Sequence, residues 1–330
     1  MRPSSVGLML CFVLACGDSG GTGGTAGSGG NDTGASGPGG SSGTAGAGGG
    51  LAPRGGCDFS ERVGRFTVEK LKDFGVVQGS VADGVVPSSV PEVVSESGGC
   101  RLLKRQNFAC TPSCVGAETC GQDGVCIPYP RQVSVGTVTL AGLTKPAVME
   151  PQTPGNGYFA PDAENPPYTP SSSIKLSAEG AESHEAFVLY GVGSEPLETA
   201  PTWVLAGGED LVVSWPAPTV ETPATILVEL SIDQHGSSPL TLQCEFEDTG
   251  VATVPASVID ELINSGVSGF PNGKIVRRTV DKTSIDVGCV ELIVGSPLAA
   301  NVSVAGFIPC NSPDDCPDGQ TCNLAIEICE

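Results

Sequence analysis

The sequence is poor in most of the residues on which familiar chemistry depends. Lys and Arg number 16 against 37 Asp and Glu, a formal charge of −21. Affinity for nucleic acid comes mainly from neutralising phosphates, so the balance excludes a nucleic-acid partner. Histidine occurs twice, at His184 and His235, and aromatic residues make up 5%. HExxH, a G-x-S-x-G elbow, a phosphate-binding loop and a dinucleotide fingerprint are all missing. The chain is therefore expected to be no enzyme and to carry no cofactor. Acids occur throughout, yet no pair is marked as the two carboxylates of a hydrolase site. A long apolar run is missing too. The longest near the start, "VGLMLCFVLA", holds about ten residues and is too short for a helical membrane span.

What is present begins with "VLACGDSGG" at residues 13–21. GDSGG also surrounds the nucleophile of trypsin-like proteases, but such a serine needs a histidine base and a buried aspartate upstream. Nothing upstream of Ser19 qualifies, and Ser19 lies in a Gly- and Ser-rich tract that cannot hold a side chain in fixed geometry. Cys16 fits its surroundings better. Arg2 followed by a short apolar core reads as a signal peptide over 1–15, and its end resembles the lipobox of bacterial lipoproteins. That resemblance implies lipidation of Cys16, with the membrane as partner through the lipid. Residues 16–56 then form the lipidated cysteine and a flexible tether with an r.m.s. span of about 35 Å.

Charge and cysteine divide the remainder. Residues 146–273 hold one base, Lys175, against eighteen acids, whereas 54–145 hold ten bases and nine acids. Such an acidic surface favours solubility. Beyond Cys11 and Cys16, twelve cysteines remain, an even number that suits complete pairing in an oxidising compartment. Eight fall into two tetrads, Cys110 to Cys126 and Cys310 to Cys329, each with Thr directly before the third cysteine, at Thr119 and Thr321. Segments this short cannot bury a core of their own, so crosslinks take its place. Of three connectivities the interleaved one is preferred: Cys110 with Cys120, Cys114 with Cys126, Cys310 with Cys322, Cys316 with Cys329. Zinc is the rival for the Cys110–Cys114 spacing, but the other gaps are irregular. The last four are expected to pair as Cys57 with Cys100 and Cys244 with Cys289.

The body of the chain reads as β. Runs such as "VGTVTLAGL", "DLVVSW", "TILVELSID", "LTLQCEFED" and "CVELIVG" carry β-branched residues at period two between Gly, Pro and Asp turns. The expected fold is all-β, an antiparallel β-sandwich of immunoglobulin-like or jelly-roll-like form, with one short helix and two small disulfide-rich modules. The helix is "SVIDELINSG", with Ser257 as N-cap and Asp260 at the capping-box position. The divisions are a hairpin region at 57–109, a cysteine-rich module at 110–130, the sandwich at 131–306 and a C-terminal module at 307–330. Whether 57–109 joins the main sheet stays open at this point.

The lipobox, the Gly/Ser tether, the C-x5-C-P-D-G-Q-T-C module and the runs "DLVVSW" and "CEFEDTGVATVP" together resemble the uncharacterised surface lipoproteins abundant in myxobacteria. The resemblance implies an exported, lipid-anchored protein of the outer membrane or cell surface, and it supplies no reaction or ligand. The functional expectation is a non-catalytic structural or binding module, with a carbohydrate or an envelope protein as partner. The alternatives are a carbohydrate-binding module or a hydrolase with a carboxylate-based site. The candidate ligand loop, residues 154–170, bears Tyr158, Phe159 and Tyr168. Two readings stand: faces open to sugar rings, or rings capping the core, which the ordinary behaviour of aromatics favours. Trp203 and Trp215 read as core or edge packing. No metal is expected; Glu245, Glu247 and Asp248 are weak cation candidates that a solvated strand face explains equally.

Overall fold

The computed structural model describes residues 54–182, 184–232 and 240–330. The signal segment, Cys16, Ser19, nearly all of the tether and His235 lie outside the described residues.

The first strands are β1 (Arg62–Lys70), β2 (Gly75–Ala82), β3 (Glu92–Ser97) and β4 (Cys100–Lys104), followed by β5 (Glu118–Cys120) and β6 (Cys126–Pro128) in the first cysteine-rich module. Next come β7 (Gln132–Val133), β8 (Val138–Ala141), β9 (Ala147–Met149), β10 (Tyr158–Phe159), β11 (Ser173–Ala178) and β12 (Phe187–Val192). Then follow β13 (Thr202–Leu205), β14 (Leu211–Ser214), β15 (Thr225–Ser231), β16 (Leu240–Glu247) and β17 (Val251–Val254). The helix α1 (Ala256–Asn264) leads to the two longest strands, β18 (Asn272–Ile285) and β19 (Gly288–Val304). A 3₁₀ turn at Pro313–Asp315, β20 (Cys322–Asn323) and β21 (Ile328–Cys329) complete the C-terminal module.

The fold is all-β, as the alternating runs predicted. Its main sheet runs β10-β2-β1-β19-β18-β15-β16-β4-β3, with β13 also on β19 and β7 on β2. Segment 57–109 therefore belongs to this sheet: β1 lies beside β19, while β3 and β4 close the far end. The expectation of an antiparallel sandwich is corrected in one respect. β1 and β13 both run parallel to β19, so the sheet is mixed.

Register decides which residues share a face. Ile275, Arg277, Thr279 and Asp281 of β18 lie opposite Leu298, Ser296, Val294 and Leu292 of β19, and Leu292 lies opposite Phe66 of β1. That face carries two cores. One packs Phe66, Val68, Leu292 and Val294 against Leu140, Ile174, Leu176 and Leu189 of a second sheet, β12-β11-β8-β9. The other packs Ile226, Val228, Leu230 and Leu242 against Trp203, Leu205, Val213, Val254 and the helix residues Val258, Ile259 and Leu262. Between them runs a polar seam. Arg277, Thr279, Ser194 and Ser296 are all buried there, and Thr279 Oγ1 exchanges hydrogen bonds with the backbone of Val192.

Two local features depart from sequence expectation. The helix begins at Ala256 with Pro255 as N-cap, so Ser257 sits inside the first turn and caps nothing. The first-turn N–H of Ala256 instead donates to Asp210 Oδ1 at 2.7 Å, and Asp260 accepts from Gly208 N at 2.7 Å. A distant carboxylate from the turn before β14 thus replaces the local cap, which sequence spacing cannot reveal.

The interleaved pairing holds in both modules: Cys110–Cys120, Cys114–Cys126, Cys310–Cys322 and Cys316–Cys329. The other two expected pairs are wrong. Cys57 bonds Cys289, and Cys100 bonds Cys244. β16 and β19 are separated by β15 and β18, a lateral gap of about 14 Å, and Cys244 lines up through Val228 and Ile275 with Leu298, far along β19 from Cys289, so the pair is beyond disulfide reach. Cys100 is the direct cross-strand neighbour of Cys244 on β4.

Candidate functional site

The face of the main sheet opposite the two cores carries much of the chain's scarce positive charge. On β1, β4 and β18 the alternation that buries Phe66, Leu102 and Arg277 turns Arg65, Arg101 and Arg278 to this side. Arg62 joins them from the start of β1. Phe59, in the lead-in to β1, stacks on two of these groups at once, with the Arg62 guanidinium carbon 5.0 Å and the Arg101 carbon 5.2 Å from its ring centroid. Arg62 and Arg101 start on strands five places apart in the sheet, so the sheet curls to bring them to one ring.

The charges on this side are unevenly matched. Glu291 is buried and accepts from Arg65 Nε at 2.6 Å and from the Cys57 backbone N–H at 3.1 Å, with Arg62 Nη1 at 3.6 Å. Burial, and then the neighbouring Arg65, bring the Arg62 guanidinium down to about 10 against the opposing pull of Glu291. It remains charged at neutral pH.

Beside this cluster, over β4, β16, β15 and β18, opens a cavity of about 390 Å³ lined by Gly98, Arg101, Leu227, Gln243, Glu245 and Arg278, among others. Its rim is the β3–β4 turn, where Gly98 and Gly99 have φ of +59° and +79°. Two successive positive φ values are those of a type I′ hairpin turn, which glycine adopts without strain. Arg278 Nη2 lies 3.3 Å from Glu245 Oε2, while its Nε is buried with no hydrogen-bond partner. Arg101 has no hydrogen-bond acceptor among the described residues and is held by its stacking on Phe59. Sequence reasoning missed this site, because its arginines come from three separated stretches and meet only through the strand order.

A second depression, about 830 Å³, is lined by Glu182, His184, Glu185, Phe187, Ser284 and Asp286, among others. The buried His184 ring places Nδ1 2.9 Å from Asp286 Oδ1, and this hydrogen bond is the first cause that lowers the Asp286 carboxyl below its ordinary range. The pair lies 102 residues apart in sequence, just before β12 and just after β18, whose packing brings it together. A ring held through Nδ1 by a carboxylate has the geometry of a base oriented by an acid.

Of the two readings of the candidate ligand loop, the structure bears out core capping for its tyrosines and corrects the open-faced one. Tyr158 and Tyr168 are each 2% exposed and belong to the core. The Tyr158 hydroxyl accepts from Val135 N at 2.8 Å and donates to Gly136 O at 2.9 Å, and its ring packs 5.6 Å from that of Phe66. Gly79, opposite Tyr158 in register, sits under Phe66, where a Cβ would come within 2.1 Å of the ring. Burial pushes the Tyr168 phenol above its ordinary value. Phe159 alone is turned outward, because it follows Tyr158 on the same short strand. The loop does line a small groove of about 160 Å³, through Ala160, Pro161, Ala163 and Pro167 rather than its aromatic residues.

Two of the three weak cation candidates, Asp248 and Glu245, are engaged by other side chains. Asp248 faces the buried Arg277, with Nε–Oδ2 at 2.7 Å, and accepts from Trp215 Nε1 at 2.7 Å. Glu245 accepts from Thr225 Oγ1 at 2.7 Å and faces Arg278, while Glu247 is exposed. In each tetrad three sulfurs lie within 4.8 Å of one another, a spacing that also suits a metal, but all of them are in disulfides. Trp203 and Trp215 are both buried in the second core, as their reading as packing residues predicted. Comparison with family models, with curated proteins and with solved structures found no match.

Proposed function

We propose that the chain is a non-catalytic, lipid-anchored module of a bacterial cell envelope, held off the membrane by its Gly/Ser tether and binding a ligand or partner through the arginine-rich side of its main sheet. The carrying observation is that all twelve cysteines among the described residues are closed into six disulfides, one of which, Cys57–Cys289, fastens the segment adjoining the tether to the longest strand. Such complete pairing belongs to an exported protein. Among the described residues no helix is long and apolar enough to cross a membrane; in this reading the lipid on Cys16 supplies the attachment, at the outer membrane or cell surface.

The test has two arms. Wild-type protein should partition into detergent and Cys16→Ser into the aqueous phase; equal partitioning would remove the anchor. Glycan and envelope-fraction binding arrays, run beside polysaccharide and peptide hydrolysis assays, should give retention without turnover. The His184–Asp286 cleft, with Glu182 and Glu185 at its walls, supports a second reading as a hydrolase. Turnover abolished in His184→Ala would favour that reading over the first.

A further inference from the structure

We infer that the cavity between Arg101 and Arg278 takes a carboxylate-bearing sugar of the hexuronate class. This deepens the proposed binding role and rests on it. Its volume, about 390 Å³, falls at the lower end of ligand-sized cavities. Two features point to an acid. Arg278 lines the cavity and, among the described residues, its guanidinium has one long contact, Nη2 to Glu245 Oε2 at 3.3 Å, which leaves donor capacity for an incoming carboxylate oxygen. Arg101 has no acceptor among the described residues, yet its guanidinium is oriented by the ring of Phe59, whose position is fixed in turn by Arg62. A preoriented cation loses little freedom on binding.

Three further features point to a sugar. Glu96, Ser97, Gln243 and Glu245 stand in the same cavity. Carboxylates beside the arginines disfavour a dense polyanion, but they accept hydrogen bonds from hydroxyls, so the lining suits one acid group among several O–H donors. Leu227, buried on the same side, supplies an apolar floor for C–H groups. The strands beneath leave no edge for an extended peptide, because β4, β16, β15 and β18 are each paired on both sides here. Recognition must come from side chains.

The experiment titrates the full mature chain calorimetrically with a trigalacturonate and, separately, with the neutral galactose trisaccharide. Saturable binding of the acidic probe is expected, with at least about tenfold weaker binding in Arg101→Gln and in Arg278→Gln. Arg131→Gln, remote in sequence and strand, should bind as wild type. Arg278 is mostly buried, so its variant is read only if its melting temperature and thiol count match wild type; Arg101 is exposed, and its variant carries the test alone if Arg278→Gln misfolds. Absent binding, equal binding of the neutral probe, or acidic binding unchanged in Arg101→Gln overturns the inference. Neutral or Arg101-independent binding would still leave a binding module, whereas cleavage of the probe during titration would overturn the non-catalytic reading itself.

Discussion

Arg277 Nε lies 2.7 Å from Asp248 Oδ2 in the polar seam, with the two side chains only 2% and 6% exposed. Their closest approach is an ion contact without an aligned N–H···O bond, and hydrogen bonds to Asp248 Oδ1, Glu195 O and Pro216 O complete the guanidinium's surroundings. Removing one partner strands a buried charge. Asp248→Asn or Arg277→Met alone should therefore cost about 3–5 kcal/mol in urea unfolding, and the double variant Arg277→Met with Asp248→Leu should recover much of it. Additive losses would mean that the two residues act separately.

Acid sensitivity should centre on Asp281. Burial raises this carboxyl, but hydrogen bonds from the Arg54 side chain and from the backbone N–H groups of Tyr190 and Arg54 outweigh burial and hold it below its ordinary value. A group depressed in the folded state contributes stability that is fully present above its unfolded value, about 3.9, and is lost as pH falls through the folded one. Wild-type stability should drop below about pH 4. Asp281→Asn should be weaker at pH 7 and show a shallower acid limb, read from melting temperatures between pH 7 and 2.5.

The two neighbouring rings of β10 should behave oppositely. Tyr158→Phe keeps the ring but leaves the buried Val135 N–H without its acceptor, at a cost of about 1–3 kcal/mol. Phe159→Ser, on the outward side, should change stability by less than about 0.5 kcal/mol. A large loss at Phe159 with none at Tyr158 would reverse the assignment of faces.

The strands were legible because period-two alternation reports a half-buried surface wherever it occurs. "TILVELSID" buries Ile226, Val228, Leu230 and Ile232, as its pattern predicts. Short-range crosslinks were equally legible, since each tetrad closes within a loop of 10 to 13 residues. Strand order was not. Which of Cys57, Cys100, Cys244 and Cys289 pair depends on β4 lying beside β16, and on the lead-in approaching β19. Alternation along one strand carries no information about its neighbour. The candidate site failed for the same reason: Arg62, Arg101 and Arg278 are unremarkable in their own segments and converge only after the sheet has formed.

The tyrosines were legible as core residues from the ordinary behaviour of aromatics, though not from the loop that carries them. A Pro-rich loop with three aromatic residues can be read as a display surface, yet Tyr158 forms the two-residue strand β10 against β2 and packs on Phe66, whose ring occupies the space that Gly79 leaves. The signal was in β2 rather than in the loop, as a glycine in a strand marks close approach from above.

The bond between Cys57 and Cys289 also has a mechanical meaning. The two residues are 232 positions apart in sequence, and Cys289 is the second residue of β19. A pull on the chain before Cys57 enters β19 through the sulfurs, without drawing on the covalent path through β1 to β18. It then runs along β19, which is flanked by β18 from Gly288 to Asn301, by β1 near its start and by β13 from Asn301 to Val304, and leaves toward the C-terminal module. Force along that line loads the ladders of hydrogen bonds in shear, so many must fail together rather than one after another. The protein is thereby wired as a short tension member, a single crosslinked strand in series between the segment before Cys57 and the C-terminal module, with the rest of the fold serving as its sleeve.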